Sequence, residues 1–307
     1  MILCCGEALI DFLPRKGFDG ADVYQPFNGG SIFNTAIALG RLGTKVSYFG
    51  GISTDFFGDS LVAEFRHSHV DLKLAKMQEL YTTLAFVKLD KGQARYSFVD
   101  SQSAGRMLAK KDLPKLPKSC AALHFGSISL VLEPCGSTYE TLMNRESRSR
   151  VICLDPNIRP TLIARKRKHM ARLNRLIALC DILKISDEDV RWMTGHDDLA
   201  KAAKGWLKKG PKIIAVTKGR DGVEIYTKTF SFMQAAPQVL VADTVGAGDT
   251  FTAGFLATLL KNGNLTKNGT AHINEEDLRH AADFAVRAAA VTCTRPGANP
   301  PWAREME

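Results

Sequence analysis

Short apolar runs alternate with longer stretches of helical periodicity along most of this chain, and no other feature narrows its fold as much. MILCCG opens as a buried strand ended by Gly6, residues 34–42 (NTAIALGRL) follow with helical spacing, and KVSYFGGI returns to strand. The rhythm recurs as helix at 56–68, strands at 122–129 and 150–155, helix at 170–180, strand at 181–185, a short helix at 187–193, helix at 197–209 and strand at 212–217. Two long helices, 250–261 and 275–291, close it. Strands alternating with helices imply right-handed crossovers, so the expected fold is α/β: a doubly wound, mostly parallel sheet with helices on both faces.

Two segments break the rhythm. Residues 8–27 and 82–99 hold strand-like pieces with no helix between them. TLAFVKLDKGQARYSFV reads as a hairpin turning at Asp90-Lys91-Gly92. A small antiparallel sheet beside a large α/β core suggests a lid. A length of 307 residues admits two domains or one large α/β domain. No repeat or low-complexity linker is visible, so the expectation is a single domain over 1–307, its lid drawn from 9–28 and 81–101.

Composition serves to exclude. With 45% hydrophobic and 24% charged residues the chain can fill a sizeable core. A net charge of +9 would suit nucleic acid, a membrane surface or an anionic substrate. Much of that excess, however, lies in RKRK at 165–168 and RLNR at 172–175, where Leu173, Leu176, Ile177 and Cys180 recur at helical spacing. That pattern reads as a solvated helix face, and no nucleic-acid module accompanies it. No run approaches the roughly 18 apolar residues of a membrane span, and the N-terminus lacks a signal-peptide pattern. Seven scattered cysteines, odd in number and without C-x-x-C, give neither a disulfide framework nor metal spacing and suit a reducing cytoplasm.

Chemistry concentrates in DTVGAGDTFTAGFLATLL, residues 243–260. It is not a Walker A loop, and Gly246-x-Gly248 lacks the third glycine of the dinucleotide fingerprint. The physics is nevertheless that of an anion site. Glycines let the backbone approach a ligand, and free amides at a helix start attract negative charge, so Gly246, Ala247 and Gly248 can line a hole. Asp249 then has two readings. It is a first-turn acid that suits the helix end, or a base that orients an attacking hydroxyl. A helix N-terminus should lower its pKa, which phosphoryl transfer tolerates because positioning dominates. The turn alone leaves both readings open.

A second glycine segment, NGGSIFNTAIALGRLG at 28–43, places paired glycines before a helix that carries Asn34. Together, GGSIFNTAIALGRLG and DTVGAGDTFTAGF resemble the two signatures of the ribokinase-like sugar kinases, the PfkB carbohydrate kinase family. Further resemblances cover nearly the whole chain: GEALIDF near the start, LDPNIRP at 154–160, KISDEDVRWMTG at 184–195, TKGRDG at 217–222 and TRPGA at 294–298. GEALID, DPNIR and KISDED look most like the fructokinase branch.

The resemblance implies an ATP-dependent kinase with Asp249 as catalytic base and Gly246, Ala247 and Gly248 as the anion hole for the transferring phosphoryl group. It implies a sugar site of Asp11, Gly29, Gly30, Asn34, Asn157 and Arg159, with Asn28 adjoining. Thr217, Gly219 and Gly222 match the turn that meets ATP, with Lys184 and Lys218 near phosphate. Mg²⁺ would be placed through water by the family's N-x-x-E motif, where Ser186 stands for the Asn and Asp189 for the Glu, flanked by Asp187 and Glu188. Asp243 and the carbonyls of Val245 and Gly297 match a monovalent-cation site suited to K⁺. The adenine pocket would draw on the last helix, where Val286 stands at a position often Asn, and on the 294–298 loop; Arg95 and Arg106 are candidate anion contacts whose ordinary reading is solvated surface. Fructose is the expected substrate; ribose, 2-keto-3-deoxygluconate and a nucleoside are alternatives, as is a non-catalytic sugar or nucleotide sensor on the same fold. Lid-mediated homodimers occur among such relatives, so a homodimer is expected, with no nucleic-acid or membrane partner.

Overall fold

The computed structural model describes residues 1–90 and 93–307, with backbone alone at 89–90 and 93–95. The turn at Lys91 and Gly92 and the side chain of Arg95 therefore lie outside the described residues. In chain order the strands are β1 (Ile2–Cys5), β2 (Leu9–Lys16), β3 (Asp22–Gly29), β4 (Val46–Phe49), β5 (Gly51–Ser53), β6 (Val70–Asp71), β7 (Lys76–Gln78), β8 (Thr83–Asp90) and β9 (Gln93–Val99). They continue as β10 (Ala122–Gly126), β11 (Val151–Asp155), β12 (Ile182–Ser186), β13 (Ile213–Thr217), β14 (Val223–Tyr226) and β15 (Ser231–Gln234). The helices are α1 (Ser31–Arg41), α2 (Phe56–His67), α3 (Cys135–Glu146), α4 (Lys166–Leu179), α5 (Asp187–Thr194), α6 (Leu199–Leu207), α7 (Ala247–Lys261), α8 (Lys267–His272) and α9 (Glu275–Cys293).

The main sheet runs β15-β14-β13-β12-β11-β10-β1-β4-β6. Every pair from β6 to β13 is parallel, and β14 and β15 turn antiparallel at one edge. Both faces are covered, as the uninterrupted apolar strands require. Alternate residues of β1 sort the layers. Ile2 and Cys4 join a core with α1, α7 and α9, whereas Leu3 and Cys5 join one with α3, α4 and α6. After β1 the chain builds β4 and β6 on one side, then returns to lay β10 on the other. That reversal opens a crevice at the carboxyl ends of β1 and β10, where doubly wound sheets bind ligands.

Four further strands form a separate sheet, β3-β2-β8-β9. It consists of two antiparallel hairpins joined by a parallel β2–β8 pair. Among the described residues no helix is long and apolar enough to cross a membrane.

Several elements depart from the sequence reading: α1 starts at Ser31 rather than Asn34, β10 ends at Gly126 rather than at 129, and three more have a clear physical reason. Helix α7 starts at Ala247 rather than Thr250, because Gly246 takes a left-handed φ of 77° and lets the helix begin inside the glycine turn. Helix α4 takes the basic run as its first turn, and Arg172 is buried rather than solvated, paired with Glu133 and with Glu140 at 3.2 Å. Helix α3 has no counterpart in the sequence reading because CGSTYETLMNRE opens with weak helix formers. Burial of Thr138, Tyr139, Leu142 and Met143 carries it instead.

Candidate active site

The carboxyl ends of five neighbouring parallel strands each deliver a polar group to the crevice: Glu7 after β1, Ser129 after β10, Asp155 on β11, Lys184 on β12 and Thr217 on β13. Helices α1 and α7 bring their N-termini to the same place. Five other helices (α2, α5, α6, α8 and α9) carry a side-chain N-cap, but α1 and α7 are capped by Gly30 and Gly246 with no side-chain cap. Their orphan amides are thereby left for other partners. At α1 the Ser31 amide donates to Glu7 Oε1 at 3.1 Å. At α7 the Ala247 amide makes a 3.3 Å contact to the Thr244 carbonyl. Gly246 has to be glycine, since a Cβ there would lie 2.6 Å from Ala298 Cβ.

Asp249 does not cap its own helix. Its carboxylate reaches across to α1, where Ser31 Oγ donates to Oδ1 at 2.6 Å and Asn34 Nδ2 donates to Oδ2 at 2.9 Å. All three side chains are buried. Burial pushes the Asp249 pKa up, and the hydrogen bonds from Ser31 and Asn34 and the charge of Lys184 hold it back, with the net shift upward. A helix end was expected to lower this pKa; desolvation outweighs it.

Asp155 is buried and accepts from Lys184 Nζ at 2.8 Å, while its other oxygen, Oδ1, has no hydrogen-bond partner among the described residues. Burial pulls the Lys184 ammonium down, but the charge and hydrogen bond of Asp155 outweigh it and leave it above the usual lysine range. A Cβ on Gly248 would lie 2.9 Å from Lys184 Nζ, so this cation sits at the first turn of α7. Asp189 is buried in the first turn of α5, accepts the Ile158 amide at 3.2 Å and follows the Ser186 cap. Desolvation first and Asp155 second raise its pKa to about 6.

Asp11 lies on β2 opposite β3, and a Cβ on Gly29 would collide with its Oδ2. Desolvation raises Asp11 to about 7 against the pull of Arg159. Arg159 donates to Asn157 Oδ1 at 2.7 Å and lies 5.6 Å from the Tyr96 ring centre, joining the β11 loop to the small sheet. Asn157 holds a left-handed φ of 38°.

Not every candidate faces this crevice chemistry. Asn28 exchanges hydrogen bonds with Ser60 of α2. Lys218 pairs with Glu224 at 2.8 Å, and Val286 is buried in the core. Arg106 donates to the Glu133 carbonyl at 3.2 Å. Thr217, Gly219 and Gly222 form the turn after β13 beside Ser186, with the Lys218 amide donating to Gly222 O at 2.8 Å. Asp243 staples two loops, accepting from the Val245 amide at 3.1 Å and the Gly297 amide at 3.0 Å. Three residues of this network were missed, Ser31, Glu7 and Ser129. Ser31 and Glu7 stand inside motifs already singled out, one position after paired glycines and one after a strand-ending glycine, whereas Ser129 carried no local signal beyond the end of a strand.

The pattern of a pfkB family carbohydrate kinase matches residues 1–304. A fructokinase of Rhizobium leguminosarum bv. trifolii is 50% identical over 283 residues, which cover 92% of this chain and 87% of that one. A probable fructokinase-7 of Arabidopsis thaliana is 31% identical over 310 residues, covering 98% of this chain and 89% of its own. Among solved structures, a fructokinase of Xylella fastidiosa with bound ATP aligns at a TM-score of 0.88 and 26% identity, covering 99% of this chain and 96% of that chain. The match takes in both glycine turns that meet at Asp249: the chain belongs to the pfkB family of carbohydrate kinases and is a sugar kinase.

Proposed function

We propose that this sugar kinase transfers the γ-phosphoryl group of MgATP to a hydroxymethyl oxygen of fructose, with Asp249 as the base. The observation that carries this reading is the Asp249 carboxylate, turned away from its own helix and held by Ser31 and Asn34. The fructokinase relatives supply the sugar.

In this reading the sugar oxygen forms a bond to the γ-phosphorus as the bond from that phosphorus to the ADP oxygen breaks, and the hydroxyl proton passes to Asp249. Burial makes Asp249 a stronger base than an exposed aspartate. Gly246, Ala247 and Gly248 at the α7 N-terminus, with Lys184 beside them, meet the charge that gathers on the phosphoryl oxygens. Asp11, Gly29, Gly30, Asn34, Asn157 and Arg159 surround the sugar, and Thr217, Gly219 and Gly222 meet the nucleotide. The small sheet acts as a lid on a single kinase domain and excludes water.

The residues fit a Mg²⁺ that arrives with the nucleotide: Asp155 Oδ1 is buried without a partner among the described residues, and Asp189 lies near enough for Asp155 to perturb it. Asp189 and Asp155 would hold it through water, and it would neutralise phosphate charge. Asp243 oxygens keep spare lone pairs beyond their amide bonds, which fits K⁺ beside Val245 and Gly297. Exchange of K⁺ for Na⁺ in the assay tests that site. Two copies join through the lid, where Val23, Tyr24 and Val99 are exposed, and sedimentation tests this. All seven cysteines are free, in keeping with a cytoplasmic enzyme.

The test is ADP release with MgATP against fructose, ribose, 2-keto-3-deoxygluconate and adenosine. Release with fructose above all others is expected. Release with none of the four would favour the sensor.

A further inference from the structure

Both oxygens of the Asp249 carboxylate are already engaged by α1, and the two donors differ. Asn34 sits one turn into the helix. Ser31 is its first residue, and its backbone is itself anchored: the Ser31 amide donates to Glu7 Oε1 at 3.1 Å, and Glu7 Oε2 accepts from the Ser129 hydroxyl. Glu7, Ser31, Ser129 and Asp249 are all at least nine-tenths buried. The result is a relay that crosses the crevice from β10 to α7, with each link a hydrogen bond between buried groups. We propose that Ser31 is a positioning residue for Asp249, with Glu7 fixing Ser31 and the Ser31 hydroxyl fixing the carboxylate plane.

This rests on the assignment of Asp249 as the base. A carboxylate oxygen has two lone pairs, so the bond from Ser31 leaves one free on Oδ1 for the sugar hydroxyl and sets where that lone pair points. The Ser31 hydroxyl is a neutral donor to a carboxylate in a dry setting, where a hydrogen bond to a charged group has its largest effect. It also favours the ionised form against its surroundings. The charged or titratable groups facing Asp249 are Glu7 before β2, Asp11 on β2, Tyr96 on β9, Asp155 on β11 and Lys184 on β12. Of these, among the described residues, only Lys184 is cationic, so loss of the Ser31 donor is poorly compensated.

The experiment is the pH profile of kcat for Ser31→Ala and Ser31→Thr, with Asp249→Asn beside them, in the MgATP and fructose assay. In Ser31→Ala the acid limb of kcat should move up by about one pH unit, and kcat at neutral pH should fall about tenfold. The KM values for ATP and sugar should stay within about threefold, since the contact is to the base and not to substrate. Ser31→Thr, which keeps the hydroxyl, should restore the wild-type limb. An unshifted limb in Ser31→Ala, or a shift that Thr does not restore in a folded enzyme, overturns the relay. Asp249→Asn separates the two ideas. If it turns over normally the base assignment itself fails, and if it is inactive while Ser31→Ala behaves as wild type, only the relay fails.

Discussion

Asp249 shows how a residue type acquires a role from its neighbours. In sequence it satisfies the rule for a helix first turn, but in the fold its carboxylate makes no cap and bonds to α1 instead. Replacing it with Asn keeps the shape and the Asn34 contact but removes the proposed proton acceptor, so kcat should fall about a thousandfold while ATP affinity, read by calorimetry, holds. Asp11 offers a second test, in stability. Its folded pKa of about 7 lies above the ordinary carboxylate value, so the folded protein retains a proton that the unfolded chain releases. The stability this contributes is complete below about pH 4 and is lost as the pH rises through about 7. Asp11→Asn should therefore raise the thermal midpoint of the ligand-free protein at pH 8 by roughly a few degrees and leave it unchanged at pH 3.5. The same variant should raise the sugar KM about tenfold, because a charged acceptor is lost. A midpoint that does not rise at pH 8 would show that burial does not penalise the Asp11 carboxylate in the folded protein.

At the scale of elements, the alternation of strand and helix was legible, and so was the break in that alternation that became the small sheet. What local pattern could not give was where elements begin at glycine. Helix α7 started three residues early because Gly246 caps it in a left-handed conformation, a state that apolar periodicity does not report. The two glycine motifs were legible as motifs, yet the contact between Ser31 and Asp249 joins residues 218 apart in sequence and depends on α1 and α7 packing side by side. Glu7 was hidden for the same reason. Gly246 and Gly263 make a matched pair for testing the role of the turn. Both hold left-handed φ, 77° and 76°, so either change to Ala should cost about 1 kcal/mol of backbone strain. Only at Gly246 would the new Cβ meet a neighbour, Ala298, whereas Gly263 faces open space. Gly246→Ala should lower both the thermal midpoint and kcat, the latter by more than about tenfold, and Gly263→Ala should lower the midpoint alone. Equal kinetic losses from both would contradict the placement of the phosphoryl group at α7.

At the scale of the whole molecule, topology does what no single motif does. The sheet reverses its order beside β1, and the crevice this opens collects Glu7, Asp155, Lys184, the glycine-capped ends of two helices and one face of a second sheet. Arg159 and Tyr96 bridge from the main sheet to the small one, and the Arg159 charge acts on Asp11, which links the position of the small sheet to the proposed sugar end of the site. The family was legible because its signatures are the parts of the chain that topology brings together. The substrate was less so, since in the proposed reading it depends on a few contacts of the small sheet and the β11 loop with one sugar rather than another. The most direct measurement is therefore ADP release with MgATP and fructose for the wild-type chain and for Asp249→Asn. The account predicts turnover in the wild type that exceeds that with ribose, 2-keto-3-deoxygluconate or adenosine, and a loss of about a thousandfold in a variant that still binds ATP. Near-normal turnover in Asp249→Asn, or no ADP release from the wild type with any of these acceptors, would contradict it.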